Sequence, residues 1–319
     1  MKTYSNNLGV LDDKFILTNL IGTGASADVY KAIDNTTGKE YAIKLFNKSQ
    51  YFKDEIKFNE IIRKTGNQSF IKYIDSSNGT LVRNETSTQK NYIIFELASK
   101  GDLVNYIYCN DMELDEKFYK IIFYEIIKAV EFLHSKGISH RDLKIDNLLV
   151  DGDDFKIKIS DLGLPSFIYN DKKEKIMLKG KVGSPFYAAP EILMKKPYDG
   201  EKIDIFSLGV LLFSMVVGSF GFPSAQINNK LYRAIKENKI DHYWDLLAEN
   251  KRVSKLSEDF KDLYIKMVSF EPNKRPTIEE ILKHDWMKEI TSLKEEELKA
   301  LEKELIKEFQ KREKIITNC

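Results

Sequence analysis

The chain has 319 residues, with 50 lysines and arginines against 49 aspartates and glutamates, and a net charge of +1. This length allows one large domain or two lobes with cores of their own. The balanced charge gives no bulk attraction to nucleic acid or to a membrane surface, so we expect neither as a partner. The two cysteines, Cys109 and Cys319, form no spaced motif, which favours a reducing compartment, the cytoplasm or the nucleus.

Two further stretches argue against a signal peptide and a membrane-spanning helix. The N-terminal sequence MKTYSNNLGVLDDKF lacks an apolar segment of the signal-peptide type. The longest apolar stretch, VLLFSMVVG at 210–218, is too short to span a bilayer, and it predicts a buried helix.

The pattern of elements changes from strands to helices along the chain. The runs FILTNLIGTG, ADVYKAI and EYAIKLF, between Phe15 and Tyr73, are rich in β-branched and aromatic residues and predict strands. The helical pattern YFKDEIKFNEII interrupts them, and NYIIFEL is a further predicted strand. From about Gly101 apolar residues recur three and four apart, as in KFYKIIFYEIIKAVEFLHSKG, where Gly137 ends the predicted helix. The sequence therefore predicts an α+β fold with a small β-rich lobe and a larger helical lobe.

The segment 288–319 predicts a charged helical tail. Leu298, Leu301 and Leu305 form one apolar stripe among alternating charges. The stripe could pack on the larger lobe, pair with another chain or remain solvated, so the role of the tail and the oligomeric state stay open. The balanced charge argues against a basic amphipathic helix of the calmodulin-binding kind.

The stretch SHRDLKIDNLLV, residues 139–150, places many charged side chains directly before an apolar run. Phosphoryl transfer needs a group that accepts a hydroxyl proton, a cation beside the phosphate and oxygen ligands for a metal ion. Asp142, Lys144 and Asn147 have these chemistries, and Asp161 in KISDLG follows the next β-type run. The pattern favours phosphoryl transfer.

HRDLKIDN and DLG resemble the catalytic loop and the metal-binding motif of eukaryotic protein kinases. Five further stretches resemble motifs of that family and occur in the family's order along the chain: IGTGASADV (21–29), YAIK with Lys44, GSPFYAAPE (183–191), DIFSLGV (204–210) and NKRPT (273–277).

The resemblance implies a bilobal protein-kinase fold over about residues 15–287. Its β-rich N-lobe would cover about 15–95 and its helical C-lobe about 99–287. Residues 1–14 would be a lead, and 288–319 the tail.

The resemblance also implies a role for each charged residue. Asp142 would be the base for the substrate hydroxyl, and Lys144 would neutralise the transferring phosphoryl group. Lys44 would bind the phosphates of ATP. Asn147 and Asp161 would hold Mg²⁺ through oxygen atoms.

Lys44 requires a glutamate partner on the following predicted helix. Glu55 has apolar residues at i+3 and i+7, so its face can be buried, whereas Glu60 has basic residues at i+3 and i+4. We predict that Glu55 is the partner of Lys44. Glu60 remains the alternative, because its distance from Lys44 along the sequence fits better.

The adenine of ATP would lie against apolar residues from both lobes. Ile21, Val29 and Ala42 would cover it, Leu149 would lie beneath it, and Phe95 would narrow the back pocket. The resemblance places the nucleotide at Ile21, Gly22, Gly24, Val29, Ala42, Lys44, Glu55, Phe95, Glu96, Ala98, Asp102, Leu149 and Asp161.

Two arrangements are implied to be architectural. Asp204 would brace the backbone of the catalytic loop, and Glu191 would pair with Arg275 in the helical lobe.

HRDLK resembles serine/threonine kinases, and GSPFYAAPE with KPYDGEKIDIFSLGV is most similar to the calmodulin-dependent and AMP-activated group. The implied activity is transfer of the ATP γ-phosphoryl group to protein serine and threonine. The alternative is a pseudokinase, because Ala27 replaces a glycine, Leu162 replaces the phenylalanine of the metal motif, and Ile145-Asp146 replaces Pro-Glu. None of these changes removes a charged group that the chemistry needs.

Two regulatory and substrate features follow from the same resemblance. Asp102 and Asp146 occupy positions that face basic residues upstream of the target hydroxyl in basophilic kinases. Arg141 is the residue that in many kinases binds a phosphate on the activation segment. Residues 170–183 contain no hydroxyl side chain, so we expect Arg141 to meet Glu174 or Asp171, or to stay solvated, and activity to need no phosphorylation there.

Overall fold

The computed structural model describes residues 8–109 and 112–317, which form two compact units. The first unit consists of the described residues up to Lys100 together with Ser160–Gly163. The second consists of the described residues from Gly101 to Ile159 and from Leu164 onward. Cys319 lies outside the described residues. Among the helices of 8–109 and 112–317, none combines the length and the apolar character needed to cross a bilayer.

A closed antiparallel barrel forms most of the first unit, with the strand order β1-β2-β3-β4-β6-β5. Inward-facing apolar side chains alternate with outward ones along its strands, as the period of two predicts, and Leu17, Ala32 and Ile43 are fully buried in its core. The elements are β1 (Val10–Leu11), β2 (Phe15–Thr23), β3 (Ala27–Asp34), β4 (Glu40–Phe46), α1 (Ser49–Thr65), β5 (Tyr73–Arg83) and β6 (Thr86–Glu96).

Strand β1 lies within residues 1–14, where the sequence predicts only a lead. Val10 and Leu11 pair with β2 on one side and with β5 on the other, and Leu11 is fully buried. The barrel therefore begins ahead of residue 15.

The β5–β6 hairpin is longer than the strand predicted at NYIIFEL. Asn84 and Glu85 form its two-residue turn, with φ values of 46° and 64°, and Arg83 pairs with Thr86 across it. Two successive left-handed residues match the right-handed twist of the strands, which is why such turns connect hairpins.

Helix α1 packs its apolar face on the barrel and ends at Gly66. Glu55, Phe58 and Ile62 are buried on that face. Gly66 adopts φ 69° and its N–H donates to the carbonyl of Arg63, so the left-handed glycine closes the helix.

The second unit is mainly helical and is built around two buried helices. The helix predicted at 210–218 is the end of α5, which is apolar on all sides and almost wholly buried. α3 ends just before Gly137, whose φ of 69° explains the predicted stop. The elements are β7 (Gly101–Asp102), α2 (Leu103–Ile107), α3 (Glu116–Ser135), β8 (Ile138–Ser139), β9 (Leu148–Asp151), β10 (Lys156–Ile159), β11 (Ser166–Phe167), α4 (Pro190–Leu193), α5 (Gly200–Val217), α6 (Lys230–Lys236), α7 (Ile240–Leu247), α8 (Glu258–Met267), α9 (Ile278–Lys283), α10 (Asp285–Thr291) and α11 (Glu295–Ile316).

The predicted tail helix, α11, packs on its own unit. Leu305 and Phe309 are buried, and the ring of Phe309 lies 4.9 Å from that of Tyr106 and 6.0 Å from that of Phe155. Of the alternatives left open by the sequence, packing on the larger lobe is the one observed. The β-rich first unit and the helical second unit confirm the predicted fold class.

Candidate active site

A buried ion-pair cluster lies in the first unit. Nζ of Lys44, on β4, lies 2.8 Å from both carboxylate oxygens of Glu55 and 2.7 Å from Oδ1 of Asp161. Glu60 instead lies beside Arg63, at 3.6 Å. The structure therefore pairs Lys44 with Glu55 rather than with Glu60.

Burial and charge act in opposite directions in this cluster. Burial alone would lower the pKa of Lys44, but attraction to Glu55 and Asp161 outweighs it and raises the pKa above its ordinary value. Burial is also the largest influence on Glu55 and raises its pKa, against the attraction of Lys44. Lys44 is thus held as an ammonium ion, with the Asp161 carboxylate, which is 40% exposed, as its second partner.

Asp161 has a left-handed backbone with φ 58°. An aspartate held in this sparsely populated region costs free energy, and such residues concentrate at functional sites. Gly163 follows closely, and a Cβ on it would lie 2.8 Å from Oδ1 of Asp161 and 3.1 Å from Oε2 of Glu55. The glycine of the DLG motif therefore leaves room for the cluster.

Several other predicted nucleotide-binding residues of the first unit lie beside one another on neighbouring strands of the barrel. Val29 pairs with Gly22 on one side and with Lys44 on the other, and Ala42 pairs with Phe95. The predicted residues that this unit contains are Ile21, Gly22, Gly24, Val29, Ala42, Lys44, Glu55, Phe95, Glu96, Ala98 and Asp161.

The hairpin that carries the glycines closes tightly. The N–H of Gly24 donates to the carbonyl of Ala27 at 2.9 Å, and Oγ1 of Thr23 donates to Asp28 at 2.9 Å. Ile21, beside this turn, is 48% exposed and so presents an apolar side chain to solvent.

The second unit holds the catalytic-loop motif. The carboxylate of Asp204, which is fully buried, accepts hydrogen bonds from the N–H groups of His140 and Arg141 at 2.8 and 2.9 Å. Nε2 of His134 lies 2.9 Å from the same carboxylate, and these partners lower the pKa of Asp204 despite the opposing effect of burial. The predicted brace on the loop backbone is confirmed.

This brace accompanies an unusual backbone at Arg141, which has φ 66°. Arg141 turns the chain immediately before Asp142. The Asp204 carboxylate holds this turn in place through the N–H groups of His140 and Arg141. The energetic cost of the left-handed arginine is therefore offset by buried hydrogen bonds.

Asp142 lies at the centre of a small polar group. Its Oδ1 accepts the N–H of Ser184 at 2.7 Å, and its Oδ2 lies 3.1 Å from Nζ of Lys144. Nζ of Lys144 also donates to Oγ of Ser184 at 3.0 Å, and Nδ2 of Asn147 donates to the carbonyl of Asp142 at 2.9 Å. The ammonium of Lys144 is thus within hydrogen-bond distance of both the Asp142 carboxylate and the Ser184 hydroxyl. The sequence did not indicate the contact with Ser184.

The predicted magnesium ligands have suitable donor atoms. The hydrogen bond from Nδ2 of Asn147 fixes the orientation of its amide, so the side-chain oxygen is the atom with which this residue could bind a cation. Asp161 contributes a partly exposed carboxylate in the first unit. Within the ranges 8–109 and 112–317, no group of three or more His, Cys, Asp or Glu side chains is arranged to hold a metal ion. Hard oxygen ligands in small number fit Mg²⁺, which commonly completes its shell with water and substrate phosphates.

Asp102 and Leu149 are neighbours across the β7–β9 ladder of the second unit. Asp102 occupies the N-cap position of α2, yet its side chain makes no capping hydrogen bond. Burial and the nearby charge of Asp146 raise the pKa of Asp102. Two carboxylates are therefore close enough to repel each other, which makes this edge attractive to a cation. The predicted residues of this unit are Asp102, Asp142, Lys144, Asn147 and Leu149.

Arg141 does not bind the carboxylates that the sequence suggested. Its guanidinium donates to the carbonyls of Leu164 and Pro165, at 2.6 and 3.3 Å, and to the hydroxyl of Tyr198 at 3.3 Å. Glu174 instead accepts a hydrogen bond from Asn170 at 2.8 Å. The expectation that Arg141 pairs with Glu174 or Asp171, or stays solvated, is wrong because backbone carbonyls and a buried tyrosine satisfy it. No sequence motif pointed to Tyr198.

The predicted architectural pair is also present. Arg275 and Glu191 are both buried, and two parallel hydrogen bonds of 2.7 and 2.8 Å join them. Such a bidentate pair is costly to break, since removing one partner leaves a buried charge.

Comparison with known proteins identifies relatives over most of the chain. A family model described as protein kinase domain matches residues 15–287. CBL-interacting protein kinase 11 of Oryza sativa subsp. japonica is 32% identical over 278 residues, which cover 87% of this chain and 52% of the rice protein. Testis-specific serine/threonine-protein kinase 2 of Mus musculus is 33% identical over 273 residues, covering 84% of this chain and 71% of the mouse protein.

A third relative, the probable serine/threonine-protein kinase MARK-B of Dictyostelium discoideum, is 34% identical over 278 residues, or 86% of this chain and 36% of that protein. The chain therefore spans about half the length of the rice protein and less of this one. These relatives confirm the predicted resemblance to serine/threonine kinases of the calmodulin-dependent and AMP-activated group.

Proposed function

The chain belongs to the protein kinase family, and we propose that it transfers the γ-phosphoryl group of ATP to serine and threonine hydroxyls of protein substrates. The observation that supports this most is the polar group at Asp142, where the ammonium of Lys144 lies 3.1 Å from the Asp142 carboxylate and 3.0 Å from the Ser184 hydroxyl, and the Ser184 N–H donates to that carboxylate at 2.7 Å. This is the arrangement that a hydroxyl acceptor and a migrating phosphoryl group require.

In the proposed mechanism Asp142 orients the substrate hydroxyl and accepts its proton. Lys144 is placed to balance the negative charge on the phosphoryl oxygens, and its second contact, Ser184, limits its movement. Asn147 holds the carbonyl of Asp142 and thereby keeps the loop in the reactive conformation.

Lys44 would bind the phosphates of ATP, and Glu55 would orient it. Asn147 and Asp161 would hold Mg²⁺, which supplies charge neutralisation at the phosphates when bound. Burial of the Lys44–Glu55 pair supports this role because a fixed ammonium positions a phosphate with less loss of side-chain entropy. ATP and Mg²⁺ are accordingly the proposed cosubstrate and cofactor.

The proposed adenine contacts are apolar residues and backbone groups. Ile21, Val29, Ala42 and Leu149 would pack on the ring, and Phe95, which is buried, would limit the depth of the pocket. Glu96 and Ala98 would supply backbone groups. The N–H of Glu96 already donates to the carbonyl of Lys72 at 3.0 Å, so its contribution would be its carbonyl oxygen.

The proposed substrates carry basic residues upstream of the target hydroxyl. The repulsion between Asp102 and Asp146 supports this, since a guanidinium bound between two carboxylates relieves it. We further propose that the protein acts in the cytoplasm or nucleus, and the free, buried Cys109 agrees with a reducing compartment.

Incorporation of labelled phosphate into a panel of protein substrates tests the proposed function. Lys44→Met and Asp161→Ala should each reduce turnover by about a hundredfold or more, because the first removes the ammonium that would bind the phosphates and the second a carboxylate that would hold Mg²⁺. Equal and negligible transfer by the wild type and by Asp161→Ala across the panel would reject kinase activity and leave the pseudokinase alternative.

A further inference from the structure

The segment from Asn170 to Gly183 carries a concentration of positive charge. It contains five lysines against two carboxylates, Asp171 and Glu174, in a protein whose net charge is only +1. Such local charge on an otherwise balanced surface creates a directional electrostatic potential.

Within residues 8–109 and 112–317, one of these lysines is neutralised by ion pairs. Lys175 lies 2.7 Å from Asp199 and also pairs with Glu201. The other four are exposed, and in the part of the chain that the structure describes none of them forms an ion pair; they are Lys172, Lys173, Lys179 and Lys181.

Backbone contacts fix the position of Lys179 and Lys181. Leu178 and Tyr198 exchange two backbone hydrogen bonds of 2.8 and 2.9 Å, and the Tyr198 hydroxyl donates to the carbonyl of Lys179 at 3.4 Å. At the other end, Ser184 donates to Asp142 at 2.7 Å. The two lysines therefore lie on a short stretch of chain that is anchored at both ends.

This stretch is close to the proposed catalytic base. Gly183 lies against Asp142, since a Cβ placed on it would be 3.4 Å from Oδ1. Because an extended chain advances at most about 3.6 Å per residue, Cα of Lys181 lies within about 7 Å of that of Gly183, and Cα of Lys179 within about 14 Å. A substrate residue three positions from the accepting hydroxyl is about 10 Å along the peptide, so the lysine side chains can reach it.

We propose that Lys179 and Lys181 bind acidic residues of the protein substrate that lie within about three positions of the accepting hydroxyl. The proposal rests on the kinase activity proposed above and assigns part of its substrate class. These lysines are separate from Asp102 and Asp146, which are proposed to contact the basic upstream residues. Exposed ion pairs are individually weak, so the effect is one of selection among substrates rather than of tight binding.

The test uses matched peptides with a single serine and the same basic upstream residues. Glutamate or glutamine is placed at each of the three positions on either side of the serine. We expect the best glutamate peptide to exceed its glutamine counterpart in kcat/KM by about fivefold to tenfold at low salt, and the advantage to shrink as ionic strength rises. In the Lys179→Gln, Lys181→Gln double variant the ratio should fall to about one.

The double variant Lys172→Gln, Lys173→Gln is the matched control. It removes the same charge from the same segment at the Asn170–Glu174 turn, farther along the chain from Gly183, and it should keep the ratio. A ratio of one in the wild type, or an equal loss in both double variants, would overturn the proposal.

Peptide binding, followed by fluorescence anisotropy, separates this proposal from the proposed function. It requires no turnover. If no peptide is phosphorylated, kinase activity fails, while tighter binding of the glutamate peptide that depends on Lys179 and Lys181 still supports the acidic site. Equal binding of the glutamate and glutamine peptides overturns it.

Discussion

The hydroxyl of Tyr198 joins Arg141 to residues 164–184, the segment that corresponds to the activation segment of the kinases this chain resembles. It accepts a hydrogen bond from Nη1 of Arg141 at 3.3 Å and donates one to the carbonyl of Lys179 at 3.4 Å. Tyr198 is almost fully buried, and its backbone pairs with Leu178. In many kinases the arginine at the position of Arg141 holds this segment by binding a phosphate. Here a neutral tyrosine and backbone carbonyls bind Arg141 instead.

This arrangement predicts activity without phosphorylation of the segment. Protein freed of phosphate, as verified by mass spectrometry, should phosphorylate substrate at the same initial rate before and after incubation with MgATP. Activity that appears only once phosphate is added within residues 164–184 would contradict this.

Replacing the tyrosine should weaken the ordered segment. Tyr198→Phe removes two hydrogen bonds, worth about 2 kcal/mol together at about 1 kcal/mol each, so we expect turnover to fall by up to about thirtyfold. Tyr169→Phe, in the same segment at an exposed position, is the control and should have little effect. Equal rates for both variants would exclude a role for the Tyr198 hydroxyl.

The tail helix should contribute to the stability of the second unit through Arg312. This side chain is 1% exposed and donates to the carbonyls of Tyr106, Met112 and Glu113 at 2.9, 3.0 and 3.2 Å. Arg312→Met leaves these acceptors without their donor and should lower the free energy of unfolding by about 3 kcal/mol.

Denaturant unfolding measures this loss. Lys311→Met is the control, because Lys311 is 73% exposed and should change the free energy of unfolding by less than about 0.5 kcal/mol. Similar losses for both variants would show that Arg312 has no special role.

Glu125 of α3 should make stability depend on pH. Burial first, and then repulsion from Glu302 on α11 and from Asp154, raise its pKa from 4.5 to about 7, while the N–H of Ile157 and the charge of Lys156 oppose this. The native state therefore binds more protons than the unfolded state between these values, and the free energy of unfolding falls as pH rises through this window.

Glu125→Gln removes the titrating group and keeps an acceptor for the Ile157 N–H. Its free energy of unfolding should exceed that of the wild type by on the order of 1 to 3 kcal/mol at about pH 8, and the difference should vanish below about pH 4, where Glu125 is protonated in both states. Glu296→Gln, at an exposed position of α11, should show no such crossover. A gain that is the same at both pH values would contradict the assignment.

The pair Asp102 and Asp146 should select basic residues upstream of the phosphorylated hydroxyl. Converting both to asparagine removes two negative charges and should reduce the preference for an upstream arginine by about tenfold in kcat/KM. Peptide profiling measures this. An unchanged peptide profile in the double variant would show that Asp102 and Asp146 do not select the upstream residues.

Local patterns in the sequence predicted what depends on neighbouring residues. The buried face of α1 favoured Glu55 because apolar residues follow it at helical spacing, and the structure pairs it with Lys44. The sequence does not predict strand β5 because the middle of Tyr73–Arg83 is polar, with DSSNGT in place of an apolar run, and because its turn, Asn84-Glu85, lacks the glycine that usually signals a hairpin.

Contacts between distant residues were not predictable in the same way. Arg312 appears in the sequence as one charge among many, and its burial depends on carbonyls some 200 positions away. Arg141 likewise finds its partners in the main chain and in Tyr198, and backbone carbonyls carry no sequence signal.

Phosphorylation of a peptide array by the wild type beside Asp142→Asn tests the central claim most directly. Asparagine keeps the size of the side chain but cannot accept the hydroxyl proton, so turnover on serine and threonine peptides should fall by about 10²–10⁴-fold. Thermal unfolding of the variant should show that it remains folded. Wild-type labelling of serine or threonine that Asp142→Asn abolishes is the predicted result, and labelling that is equal in the two proteins would contradict it.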